Sequence, residues 1–164
     1  MQILQNYYYK IIKQDLLTKY TFTNYLEIPQ FHKVVLRFNV NQVSLKSLLP
    51  SLAGLLLISS QKPSLKYTNK ANIVLRVRGG SVISCKVDLR SKDMFFFIEK
   101  LIFFVLPKMK GFSYVIQQQV LSFKIENVFL FKELEKEYEH FQDLPSLNVN
   151  VFLKAKNHSE IIGL

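Results

Sequence analysis

ISSQKPSLKYTNKANIVLRVRGGSVISCKVDLR, residues 58–90, is rich in lysine and arginine, holds a single acid, Asp88, and spaces many of its cations two apart. Successive side chains of a strand point to opposite faces. In IVLRVR, Ile73, Leu75 and Val77 therefore share one face, and Arg76 and Arg78 take the other. Beyond Gly79-Gly80 the alternation returns, with Cys85, Val87 and Leu89 on one side and Lys86, Asp88 and Arg90 on the other. Two amphipathic strands joined by a glycine pair predict a hairpin at 72–90. One of its faces suits a core, and the other is cationic.

The same periods organise the flanks. Tyr8, Ile12 and Leu16 share a helical face in residues 6–19, with Lys13 and Lys19 outside it. Pro29 precedes a strand in which Val34, Leu36, Phe38 and Val40 face inward and Lys33, Arg37 and Asn39 outward. Leu45, Leu48, Leu49, Leu52 and Leu56 hold a helical period, and Pro50 predicts that the regular helix begins after it. A further helix from Ser91 carries Met94, Phe97, Ile98, Leu101, Ile102 and Val105 inward and ends at Pro107. Leu121, Phe123 and Ile125 alternate as one strand, and Leu147, Val149, Val151, Leu153 and Ala155 as the last. These elements predict an α+β fold: a mainly antiparallel sheet, helices covering one face, and a protruding basic hairpin loop.

A chain of 164 residues forms a natural single domain, taken as 1–164. Its net charge of +10 favours a polyanionic partner. Residues 62–110 contribute eleven cations and three acids, a net of +8, whereas residues 111–164 contribute −2. The basic character therefore belongs to a folded surface and not to a tail. Four predicted strands place cations away from the core: Lys33 and Arg37; Arg76 and Arg78; Lys86 and Arg90; Lys154 and Lys156. For any one pair, solubility explains as much as binding does.

Cys85 is the only cysteine, so a disulfide framework is excluded. The three histidines have no partners at metal spacing, and no cofactor motif occurs. Glu133, Glu135, Glu137 and Glu139, with Lys136 between them, read as a solvated face and not as a catalytic carboxylate pair. No apolar run reaches the roughly 20 residues of a membrane span. Catalysis, a metal site and a membrane are not expected.

The runs SSQKP, CKVDLR, MFFFIEKLI and LPKMKGF occur in that order over residues 59–112. They resemble the SGQKP-like turn, GCKVTLR-like strand, RMWEFFERLI-like helix and VPRIRDF-like segment of the large-subunit ribosomal proteins that bind 5S rRNA at the central protuberance. NYYYKIIKQDLL and LEIPQFHKVVLRFNV look like that family's tyrosine-bearing first helix, proline turn and first strand. The resemblance covers about residues 6–115 and returns at LNVNVFLKAKNHSE. It leaves no room for a leader before Asn6. With Phe and Tyr abundant, eighteen Lys to four Arg and three Ala, it points to an organelle-encoded, mitochondrial member. The alternative is a bacterial-type cytoplasm.

The resemblance implies a set of rRNA contacts: Lys33, Arg37, Gln61, Lys62, Lys86, Asp88 and Arg90. Gln61 and Lys62 lie at the RNA-facing turn. Arg37 stands for an asparagine that contacts 5S rRNA, Asp88 for a threonine, Ser60 for a glycine, and Asn39 and Asn41 for two glycines. Residues 70–82 correspond to a loop that reaches the elbow of peptidyl-site tRNA, making Lys70, Arg76, Arg78, Gly79 and Gly80 the tRNA-proximal candidates. The family's glycine-rich SFDGRGNYS segment is missing after Phe112, and the C-terminus is shortened. Implied partners are large-subunit rRNA, 5S rRNA where the ribosome has one, neighbouring ribosomal proteins, peptidyl-site tRNA and a small-subunit head protein across a bridge. The rival reading, from a different class, is a protein-interaction subunit whose basic face only confers solubility.

Overall fold

Apolar residues at every second position build the strands. A computed structural model describes residues 3–20, 22, 24, 27–39, 45–71, 78–109 and 111–154. Among them the strands are β1 (Gln30–Asn39), β2 (Ser64–Tyr67), β3 (Val82–Leu89), β4 (Tyr114–Gln117), β5 (Val120–Ile125) and β6 (Leu147–Lys154). They form one sheet in the order β2-β3-β1-β6-β5-β4. The helices are α1 (Ile3–Tyr7), α2 (Lys13–Lys19), α3 (Leu45–Ser59), α4 (Ser91–Lys100) and α5 (Lys132–Glu135). A π-helical turn, Tyr8–Ile12, joins α1 to α2, and another, Leu101–Val105, extends α4. Helix α3 connects β1 to β2 although β3 lies between them in the sheet, a split β-α-β arrangement. The α+β expectation holds.

The chain divides into two compact units. In the unit formed by residues 35–88 and 124–149, Phe38, Leu55, Cys85, Val87, Ile125 and Leu134 are buried. Gly54 brings α3 close to its neighbours: a Cβ there would lie 3.4 Å from Leu144 Cδ1 and 3.6 Å from the Phe38 ring. In the unit formed by residues 1–34, 89–123 and 150–164, Tyr8, Leu16, Met94, Phe95, Phe97, Leu101 and Val105 are buried. The Tyr8 hydroxyl donates to the Pro29 carbonyl at 2.6 Å, fixing the N-terminal helix to the chain entering β1.

Several expectations need correction. Helix α3 begins at Leu45 and contains Pro50, so the proline does not delay it. Its inward face is Ser51, Gly54, Leu55, Ile58 and Ser59, while Leu49 and Leu56 are exposed. Small residues allow close approach there, and the buried hydroxyls satisfy themselves locally: Ser51 donates to the Ser47 carbonyl and Ser59 to the Leu55 carbonyl. Lys13 is buried, with its ammonium 5.3 Å from the Tyr9 ring centre. In α4 and its π extension, Ile102 is exposed and Phe95 is buried, the reverse of the periodic reading.

The basic hairpin also differs. The described partner of β3 is β2, with Ser64 opposite Lys86, Leu65 opposite Cys85, Lys66 opposite Ser84 and Tyr67 opposite Val82. The expected strand over 73–77 lies outside the described residues. Finally, β4 was not anticipated: it pairs antiparallel with β5 through a turn at Gln118-Gln119, where the glycine-rich segment is missing.

Candidate nucleic-acid interface

In the unit of residues 35–88 and 124–149, alternation along β3 buries Cys85 and Val87 and puts Lys86 on the opposite face. Paired residues of adjacent strands share a face, so the register adds Ser64 and Lys66 to that side. The Lys86 ammonium donates to both oxygens of Asp88, at 2.9 and 3.2 Å. Both side chains are half-buried, 21% and 32% exposed. Asp88 thus orders Lys86 instead of standing alone against an incoming phosphate.

Arg37, on β1, is half-buried as well, and its Nε is buried with no hydrogen-bond partner. Val35 and Ser84 on the same strand faces are 5% exposed. Longer neighbouring side chains therefore cover the middle of this surface, and the cations emerge around short residues, not from an open lattice. Lys62 and Lys66 are exposed. Gln61 is half-buried in the turn after α3, its N–H donating to Ser59 Oγ at 3.2 Å.

Thr68 closes the base of the loop that joins β2 to β3. Its N–H donates to the Ser81 carbonyl, its carbonyl accepts from Gly80, and its hydroxyl donates to the Arg78 carbonyl at 2.7 Å. Gly79-Gly80 makes the turn, with Gly80 at φ 78, a left-handed conformation natural to glycine. Lys70 and Arg78 are exposed beside it, and Arg76 lies outside the described residues.

In the unit of residues 1–34, 89–123 and 150–164, Arg90 is exposed immediately before α4, followed by exposed Lys92. Lys33 is half-buried and holds its ammonium 4.8 Å from the centre of the Phe152 ring. Lys154 is exposed at the end of β6, and Lys156 lies outside the described residues. The structure thus joins Lys86 to Asp88 directly, but it groups the remaining candidates only by face or loop.

Two contributors escaped sequence reasoning. Lys66 lies in a strand of four residues, too short for a period-two signal, and only the register reveals its face. Phe152 looks like one more apolar residue in an apolar strand, yet it stands opposite Leu147, Val149, Val151 and Leu153, all buried.

Among the described residues no cluster of histidine, cysteine or acid could hold a metal, and no helix is long and apolar enough to cross a membrane. Cys85 is free and buried, and burial pushes its thiol pKa above the ordinary value. What the arrangement offers is positive charge on ordered backbone.

Residues 82–162 match the model for the C-terminus of the ribosomal uL5 family. The chain is 29% identical to large ribosomal subunit protein uL5m of Reclinomonas americana, covering 98% of this chain and 92% of the relative. It is 28% identical to uL5 of Wigglesworthia glossinidia brevipalpis, over 98% and 93%, and 28% identical to uL5 of Mycoplasma pneumoniae, over 100% and 94%. With matches that run the length of both partners and a sheet that carries the family's motifs in order, the chain belongs to the uL5 family and is a structural, non-enzymatic constituent of the large ribosomal subunit.

Proposed function

We propose that this protein binds rRNA at the central protuberance, 5S rRNA or the RNA that replaces it, through the cationic side of β2, β3 and β1. One observation carries the reading: β3 buries Cys85 and Val87 while holding Lys86 on the other face, where the register adds Lys66 and Ser64. Charge neutralisation of phosphates supplies the affinity, and the shape of folded RNA supplies the selection. Arg37, Gln61, Lys62, Asp88 and Arg90 complete the proposed contact set with Lys33. The loop of Lys70, Arg76, Arg78, Gly79 and Gly80 reaches toward peptidyl-site tRNA, and the protein takes part in the bridge to the small-subunit head. Residues 1–164 act as one ribosomal-protein domain. The uL5m name of the Reclinomonas relative supports a place in a mitochondrial ribosome.

Charge reversal tests the site. Lys66→Glu with Lys86→Glu is expected to lower affinity for large-subunit rRNA by about 10-fold or more, and to flatten the slope of log affinity against log salt by about 2. An unchanged slope would remove these residues from the interface.

A specific observation also favours protein contacts. Phe96, Phe103 and Phe104 are 55%, 57% and 46% exposed, which suits docking against neighbouring ribosomal proteins. Contacts of this kind hold or strengthen as salt rises, which separates them from the phosphate contacts.

A further inference from the structure

Phe152 projects from the polar side of β6, where the alternation sends every second residue away from the core. It lines an open cleft of about 740 Å³ together with His32, Gln118, Gln119, Val120, Leu153 and Lys154. All of these belong to the unit of residues 1–34, 89–123 and 150–164. The turn that supplies the two glutamines is held against β6, because the Leu153 N–H donates to the Gln119 carbonyl at 2.9 Å. Gln118 adopts φ 53, a left-handed conformation costly for a residue with a Cβ. Behind the cleft, the Lys33 ammonium stands over the Phe152 ring.

The lining chemistry is specific. It contains a phenyl ring and an imidazole for stacking, two carboxamides that each offer a donor and an acceptor, and an exposed ammonium on Lys154. No acid lines it, which disfavours a cationic ligand. A heterocyclic base needs a flat apolar surface and edge groups that both give and accept hydrogen bonds, and the phosphate attached to it needs a cation. The volume lies within the range of small-molecule sites. A cation–π contact alone would account for Lys33 and Phe152, but it leaves the strained glutamine turn beside them without a purpose.

We propose that this cleft takes a single unstacked nucleotide of the bound RNA, its base against Phe152 and His32, its edge read by Gln118 and Gln119, and its phosphate met by Lys154. The inference rests on the RNA-binding reading and adds to it a point of local base recognition.

Heteronuclear NMR on the full chain tests it, with titration by the four nucleoside 5′-monophosphates and by ribose 5-phosphate. The expected result is saturable movement of the Gln118 and Gln119 side-chain amides and the His32 ring with the nucleotides, and little with ribose 5-phosphate. Phe152→Leu keeps an apolar side chain without the ring and is expected to weaken nucleotide binding roughly tenfold, while Phe152→Tyr keeps it. Circular dichroism verifies that each variant is folded. Equal responses to ribose 5-phosphate would reduce the cleft to a phosphate contact and overturn the proposal. Unaltered nucleotide affinity in Phe152→Leu would overturn it too. Large-subunit rRNA that binds with its usual salt slope while no nucleotide moves these resonances would defeat the cleft and leave the RNA-binding reading standing. Loss of rRNA binding altogether would defeat both.

Discussion

Asp88 takes the place of a family threonine, and its carboxylate holds Lys86 in a fixed position at 2.9 Å. The pair presents no net charge, so the strand meets RNA with less charge than its lysine implies. Asp88→Asn is expected to free that charge, raise rRNA affinity and steepen the salt slope by about 1. Filter binding across a salt series reads it. Ser60 likewise stands for a family glycine, and the reason for that glycine is geometric: the residue follows α3 in the left-handed region, φ 56, with its N–H donating to the Leu56 carbonyl. Ser60→Gly is expected to stabilise the fold by about 1 kcal/mol in chemical denaturation. Cys85 stays a neutral thiol in the folded state because burial raises its pKa. Only the unfolded chain ionises near the ordinary thiol value, so this contribution is intact below that pH and is lost as pH rises through the folded value. Denaturation midpoints measured across alkaline pH should therefore fall less steeply in Cys85→Ala. At this scale the sequence showed which residues depart from the family, but not that Asp88 and Lys86 neutralise each other, because pairing depends on rotamers.

Among the elements, β1, β3 and β6 were legible, since a buried face every second residue leaves a strong mark over eight to ten residues. Strands β2 and β4 have four residues each and left none. Helix α3 was found but misaligned. Its leucine stripe suggested one face, whereas close packing at Gly54 turned the Ser51, Leu55 and Ile58 side inward. Pro50 interrupts the bonding ladder of this helix, where an N–H would have donated to the carbonyl four residues earlier. Pro50→Ala is expected to stabilise the protein by up to about 3 kcal/mol, read from the denaturation midpoint. An unchanged midpoint would mean that the surrounding turn has already adapted to the ring.

For the molecule as a whole, the segregation of charge was plain from composition: a strongly basic middle and a mildly acidic C-terminal third. Composition says nothing about depth, however, and Lys33, Arg37 and Lys86 turn out half-buried among short neighbours. Two kinds of contact should accordingly separate by salt. Phe103→Asp with Phe104→Asp is expected to reduce retention of the protein on large-subunit particles at high salt, with the salt slope for naked rRNA unchanged. Sedimentation through sucrose and filter binding provide the two readings.

The strand β4 ends the sheet, and no charged residue occurs between Lys110 and Lys124. An outer strand without a lysine or proline to discourage pairing invites the wrong neighbour. Copies made in excess of their particles therefore carry a self-adhesive rim, and a cell that makes this protein has reason to match its output to the supply of nascent ribosomes. Val115→Lys, which places a charge on that exposed rim, should keep the free chain clear by light scattering at concentrations where the parent protein clouds.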